Sequence, residues 1–148
     1  MGQPLVEIES LCVHAAAIVA EYGMMEPMET PVITLYGISN CDTVRKARAW
    51  LEEQGHKHLF HDFRKQGVPE HNLDAWIQHL GWQALVNSRG TTWRRLDDGT
   101  RREVTDVPSA RALMLGQPSV IKRPIVEWSD GRVTAGFTEA LWRARLGS

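Results

Sequence analysis

Two cysteines, Cys12 and Cys41, occur in the 148-residue chain, and Cys41 stands where a thiol can be activated. It lies in Gly37-Ile38-Ser39-Asn40-Cys41-Asp42-Thr43, between an apolar β-type run and a helix-forming one. The first turn of a helix offers unpaired backbone N–H groups and the positive end of the helix dipole, and both favour an anion. An unperturbed thiol of pKa ~8.5 is only about 3% ionised at neutral pH, whereas a pKa of ~6 makes thiolate the major form. Arg45 and Lys46, one turn on, add positive charge. The competing reading is a buried structural cysteine, a common fate of free Cys; the loop position and polar neighbours argue against it. The fourth position of a Cys-x-x-Cys motif is Val44, so no local resolving thiol exists. A mixed disulfide on Cys41 is expected to be resolved by an outside thiol, with Cys12 as the alternative.

His56, His58 and His61 invite a metal reading, but His61 has the opposite strand parity and no acidic or Cys partner completes a motif. They read as solvated edge-strand residues, and no metal is expected. The tryptophans at positions 50, 76, 82, 93, 128 and 142 fall on separate elements, mostly at apolar periodic positions. They read as core, not as a base-stacking platform.

The elements that must hold Cys41 follow from periodicity and breakers. Val32 to Tyr36 is a buried strand bounded by Pro31 and Gly37. A helix capped by Asp42 or Thr43 runs to about Gln54, with Val44, Ala47 and Leu51 on one face and Gly55 at its stop. His58 to Phe63 alternates as a second strand, and strand-helix-strand implies a parallel pair with a right-handed crossover. The middle is helical: one helix opens at Pro69 and ends at Gly81, a turn covers Asn87 to Gly90, a short helix covers Trp93 and Leu96, and another spans Ser109 to Leu115. Pro124 to Trp128, the turn Ser129-Asp130-Gly131 and Arg132 to Ala135 read as a hairpin. A last helix covers Thr138 to about Arg145. The order predicts a mixed four-stranded sheet with flanking helices and a helical lobe inserted at about residues 65–118.

Composition narrows the function classes. A formal charge of −1 gives no mandate for nucleic acid or an acidic membrane. Two cysteines make no disulfide framework, which points to a reducing, cytoplasmic compartment. The longest apolar run, Leu11 to Ala20, has about ten residues against the roughly 20 of a membrane span. Residues 1–30 are expected to be an N-terminal extension outside the fold, with residues 31–148 forming the domain.

Three stretches together carry a resemblance: Tyr36 to Ala47, Asn87 to Trp93, and Pro118 to Val126. In order and at matching separations, they resemble the arsenate reductase (ArsC)/Spx-like family, with the YffB-like glutathione-dependent thiol reductases as the nearest branch. The resemblance implies a thioredoxin-like fold and a monomeric thiol reductase with Cys41 as nucleophile. It implies no bound cofactor, glutathione as thiol co-substrate and glutaredoxin as a further candidate partner. Asn40 becomes a structural residue of the site and Arg123-Pro124 a cis peptide opposite the cysteine. In the glutaredoxin-coupled arsenate reductases three arginines hold the oxyanion. Arg89 and Arg123 fall on two of those positions, and the third falls near Ala135 or Gly136, where no arginine stands. A planar guanidinium fork has no substitute in a methyl group or a hydrogen, so the resemblance favours glutathione chemistry over arsenate. The remaining alternative is a non-enzymatic, Spx-like partner of RNA polymerase. Spx-type regulators switch through a Cys-x-x-Cys, and Val44 removes it here.

Overall fold

The computed structural model describes residues 32–147. The expected extension, and Cys12 within it, lie outside the described residues. The first strand, β1 (Ile33–Gly37), leads through a tight turn into α1 (Asp42–Glu53) and back to β2 (His58–Asp62). β1 and β2 pair in parallel, Ile33 with His58 through Gly37 with Asp62, so both strands end at the same level. Short helices follow: α2 (Phe63–Gln66), α3 (Glu70–Leu80), α4 (Trp82–Leu85), α5 (Thr91–Arg95), α6 (Asp98–Glu103) and α7 (Val107–Gly116). A 3-10 turn, Pro118–Val120, then returns the chain to the sheet as the hairpin β3 (Ile125–Glu127) and β4 (Val133–Ala135), and α8 (Glu139–Leu146) follows. The sheet order is β2-β1-β3-β4, with β3 antiparallel to both neighbours.

Alternating side chains of the central strands feed two cores. Leu35 and Val126 join Ala47, Trp50 and Leu51 of α1 and Trp142 of α8 on one face. Tyr36 and Ile125 join Leu73, Trp76, Ala110 and Met114 of the lobe on the other. A polar network ties lobe to sheet. The Glu127 carboxylate on β3 accepts from Tyr36 Oη, Asn72 Nδ2 and Trp76 Nε1, each at 2.8 Å. Burial, then the Glu127 hydrogen bond and its negative charge, raise the Tyr36 phenol pKa, which keeps the hydroxyl a donor.

Several boundaries differ from the sequence reading, three of them through a local side-chain hydrogen bond. The residue ahead of α1 is Cys41 itself rather than Asp42 or Thr43. β2 stops at Asp62, not Phe63, because the Asp62 carboxylate accepts from Arg64 N at 2.9 Å and turns the chain into α2. The stretch at Asp97-Asp98-Gly99 reads as a break but starts α6, with Asp97 accepting from Thr100 N at 2.6 Å. α7 begins two residues early, at Val107, on a capping box between Asp106 and Ser109.

Candidate functional site: the Cys41 turn

The turn before Cys41 is short because Ile38 O accepts from Cys41 N at 3.2 Å, and α1 starts at once with Arg45 N donating to Cys41 O at 2.9 Å. Cys41 is partly exposed and unpaired in any disulfide among the described residues. Partial burial pushes its thiol pKa up. The Val44 amide, the Arg123 guanidinium as donor and as charge, and the Thr43 amide outweigh that, and the net shift is below the ordinary value. These donors occupy the second and third positions of α1, where a capping side chain normally accepts.

Arg123 reaches Cys41 from the loop before β3, whose Arg123-Pro124 peptide is cis. Its Nη1 donates to Ser119 O at 2.8 Å, which anchors the fork, while its Nε is buried without a partner among the described residues. Gly37 makes the approach possible. A Cβ there would stand 2.8 Å from Val44 Cγ2, so any side chain would push α1 away, and it would already touch Arg123 Cβ at 3.8 Å.

Arg45 turns to an ion pair with Asp42 on the exposed face of α1, and Lys46 is exposed beside it. Neither is among the groups acting on the thiol, and the positive charge reaching Cys41 comes from Arg123. Asn40 is exposed in the turn. Arg89 is also exposed, in the turn before α5, where its N–H donates to Asn87 Oδ1 at 3.3 Å. That turn is pinned to the Arg123 segment: Asn87 N donates to Val120 O at 2.8 Å and Lys122 N to Leu85 O at 2.7 Å, around a Val86–Ile121 bridge. The lobe thus brings both arginine-bearing turns to one neck. At the position without a third arginine, Gly136 has φ +89° and lies under Lys122, whose Cε stands 3.3 Å from where a Cβ would be.

The histidines do not converge. His61 stacks 5.1 Å from Tyr36 and its Nε2 lies 2.8 Å from the Gly67 carbonyl, so it is less solvated than its edge-strand position suggests. Among the described residues no group of three or more His, Cys, Asp or Glu could hold a metal ion.

Asp62 escapes the sequence reading. It is the one buried charged residue among those described, at 5% exposure. Burial pushes its carboxyl pKa up, but the Arg64 amide, the Ser39 hydroxyl, the Lys65 charge and the Ser39 amide hold it below the ordinary value. The parallel register sets Asp62 level with Gly37, so its carboxylate fastens Ser39, two residues ahead of the thiol. The legible signal was an Asp ending a strand directly before a helix, an N-cap pattern.

The geometry has counterparts in known proteins. Residues 36–145 match the model of the ArsC family. A Haemophilus influenzae protein is 41% identical over 113 residues, covering 76% of this chain and 97% of its own. A solved structure of a protein called YffB is 41% identical, covers 76% of this chain and 97% of its own, and superposes with a TM-score of 0.70. The Streptococcus mutans global transcriptional regulator Spx is 26% identical over 118 residues, 78% of this chain and 83% of its own. The mixed four-stranded sheet with flanking helices is thus the thioredoxin-like fold of these relatives, and the chain belongs to the ArsC family.

Proposed function

We propose that the protein is a thiol-dependent reductase in which Cys41 is the nucleophile and glutathione the thiol co-substrate. The observation that supports it is the lowered Cys41 pKa, held by the Thr43 and Val44 amides and the Arg123 guanidinium at the start of α1. Thiolate is the attacking species in thiol–disulfide exchange. The Cys41 thiolate attacks the glutathione sulfur of a mixed disulfide and expels the substrate as its thiolate. A second glutathione thiolate then attacks the glutathione sulfur on Cys41, releasing oxidised glutathione and regenerating the Cys41 thiolate. Arg123 and Arg89 hold the anionic part of the ligand, while Arg45 and Lys46, which do not act on the thiol, add positive charge only on the exposed face where the ligand approaches. Asn40 and the cis Arg123-Pro124 peptide shape the site, glutaredoxin is a candidate reducing partner, and the setting is cytoplasmic.

The test is exposure of the full chain to oxidised glutathione, with mass spectrometry of Cys41. A glutathione adduct on Cys41 that free glutathione removes is expected, and a Cys12→Ser variant should turn over as the parent does. A dominant Cys12–Cys41 disulfide, or absence of any adduct, would overturn the external-thiol mechanism. The likeness to Spx favours a second reading, a non-enzymatic, Spx-like partner of RNA polymerase that switches through a Cys-x-x-Cys. Val44, fully buried in the core where a Cys-x-x-Cys partner would stand, weighs against a switch of that kind. Co-purification with RNA polymerase would revive it. Arsenate reduction is the third reading, and the crowded Gly136 weighs against a three-arginine oxyanion site.

A further inference from the structure

A cleft along the hairpin does not include Cys41. It lies between β4 and α8, has a volume of about 700 Å3, and is lined by Lys122, Arg132 and Arg145 with Thr134, Phe137 and Leu141 among its other walls. Its charge is unbalanced. Arg132 and Arg145 share the single carboxylate of Asp130, at 4.0 and 3.7 Å, both longer than a hydrogen bond. Lys122 has no ion-pair partner among the described residues, and its stem crosses Gly136 into the cleft. Leu141 is 68% exposed beside these cations, with no role in either core.

The backbone alongside is unpaired among the described residues. β4 is an edge strand. Trp128 N donates to Arg132 O and Gly136 N to Pro124 O, so the hydrogen-bonded pairs with β3 fall at Arg132, Thr134 and Gly136. The N–H and C=O groups of Val133 and Ala135 therefore point away from β3, along the free edge. Thr134 faces the α8 side, where Trp128 Nε1 donates to its Oγ1 at 2.8 Å, so Arg132, Thr134 and Gly136 share the cleft face. An added strand would set alternate side chains over this row, about 6.6 Å apart.

We propose that this surface docks a partner protein through an extended acidic segment. The segment adds a strand to β4 on the Val133 and Ala135 groups and points alternate carboxylates at Arg132, Arg145 and Lys122. Strand addition of this kind takes affinity from main-chain bonds and selectivity from alternate side chains. A second copy of this chain is disfavoured, because edge-to-edge pairing would set these cations against their own kind. Neither Cys41 nor Arg89 nor Arg123 lines this cleft, so its failure leaves the thiol reading untouched.

The test uses the full nitrogen-15-labelled chain and the peptide acetyl-Glu-Val-Glu-Val-Glu-Val-Glu-amide, which has no thiol. Saturable shifts and slowed hydrogen exchange are expected at the Val133 and Ala135 amides. The exposed-site variant Arg132→Glu should lower affinity about tenfold, as should high salt, with Cys41 alkylation unchanged. A peptide with Lys in place of Glu should not bind. Equal binding of both peptides would overturn the proposal, as would shifts confined to the Cys41 turn. So would Val133 and Ala135 protection that rises with protein concentration alone, the mark of self-pairing through β4.

Discussion

At Cys41 two opposing effects act on one proton. Burial favours the neutral thiol, while two amides and Arg123 favour the thiolate and prevail. The rate of alkylation against pH should therefore inflect below the ~8.5 of a free thiol. In Arg123→Ala the inflection should move up, and an unchanged profile would assign the shift to the helix start alone. Asp62 acts one step removed, through Ser39. Asp62→Ala should raise the inflection and broaden the turn, while Asp62→Asn, which keeps an acceptor for the Arg64 amide, should restore much of it. If the two variants differ only in melting temperature and share the parent profile, Asp62 is a folding residue and not a positioning one. Cys41 was legible in the sequence because a thiol at a strand-to-helix junction is a local pattern. Asp62 was not, because its effect depends on the register of two strands separated by a helix. The same limit hid the source of charge: Arg45 and Lys46 are close in sequence, but Arg123 is the one close in space.

The elements meet in few places, and those contacts carry the cost of change. Gly37→Ala would drive a Cβ into the buried, stiff side chain of Val44 and should destabilise the protein by about 1–3 kcal/mol in denaturant unfolding. A smaller cost would mean that α1 shifts freely. Glu127→Leu leaves Tyr36 Oη and Trp76 Nε1 without an acceptor and Asn72 with only Tyr36 Oη at 3.4 Å, and should cost about 3 kcal/mol or more, against about 1 for Tyr36→Phe. A neutral Glu127→Leu would show that water replaces the carboxylate. The strand-helix-strand unit and the hairpin were readable, since hydrophobic alternation and Asp-Gly turns are local. The lobe was read more coarsely. Side-chain caps at Asp62, Asp97 and Asp106 decide where α2, α6 and α7 begin. The Glu127 network was invisible, because its donors come from β1 and α3.

At the scale of the whole molecule, the resolved carboxylate shifts all run one way. Asp62, Asp74, Asp97 and Asp106 are each held below the ordinary value. A group with a lowered folded pKa stabilises the protein above its unfolded pKa, near 3.9 for Asp, and loses that contribution as pH falls through the folded value. Thermal unfolding should thus be level near neutrality and fall steeply below about pH 4. Asp62→Asn should fall less steeply, and equal slopes would place the acid sensitivity at the exposed aspartates. The Val86–Ile121 bridge has a consequence of another kind. It ties off residues 87–120 as a closed loop whose two ends are already held together. Doubling the length of a loop so closed costs only about 0.6 kcal/mol. The two helices beyond that neck that bury no residue, α5 and α6, are therefore free to lengthen or shorten in relatives, while α7 is held by Ala110 and Met114 and the arginine carried on each side of the neck keeps its place.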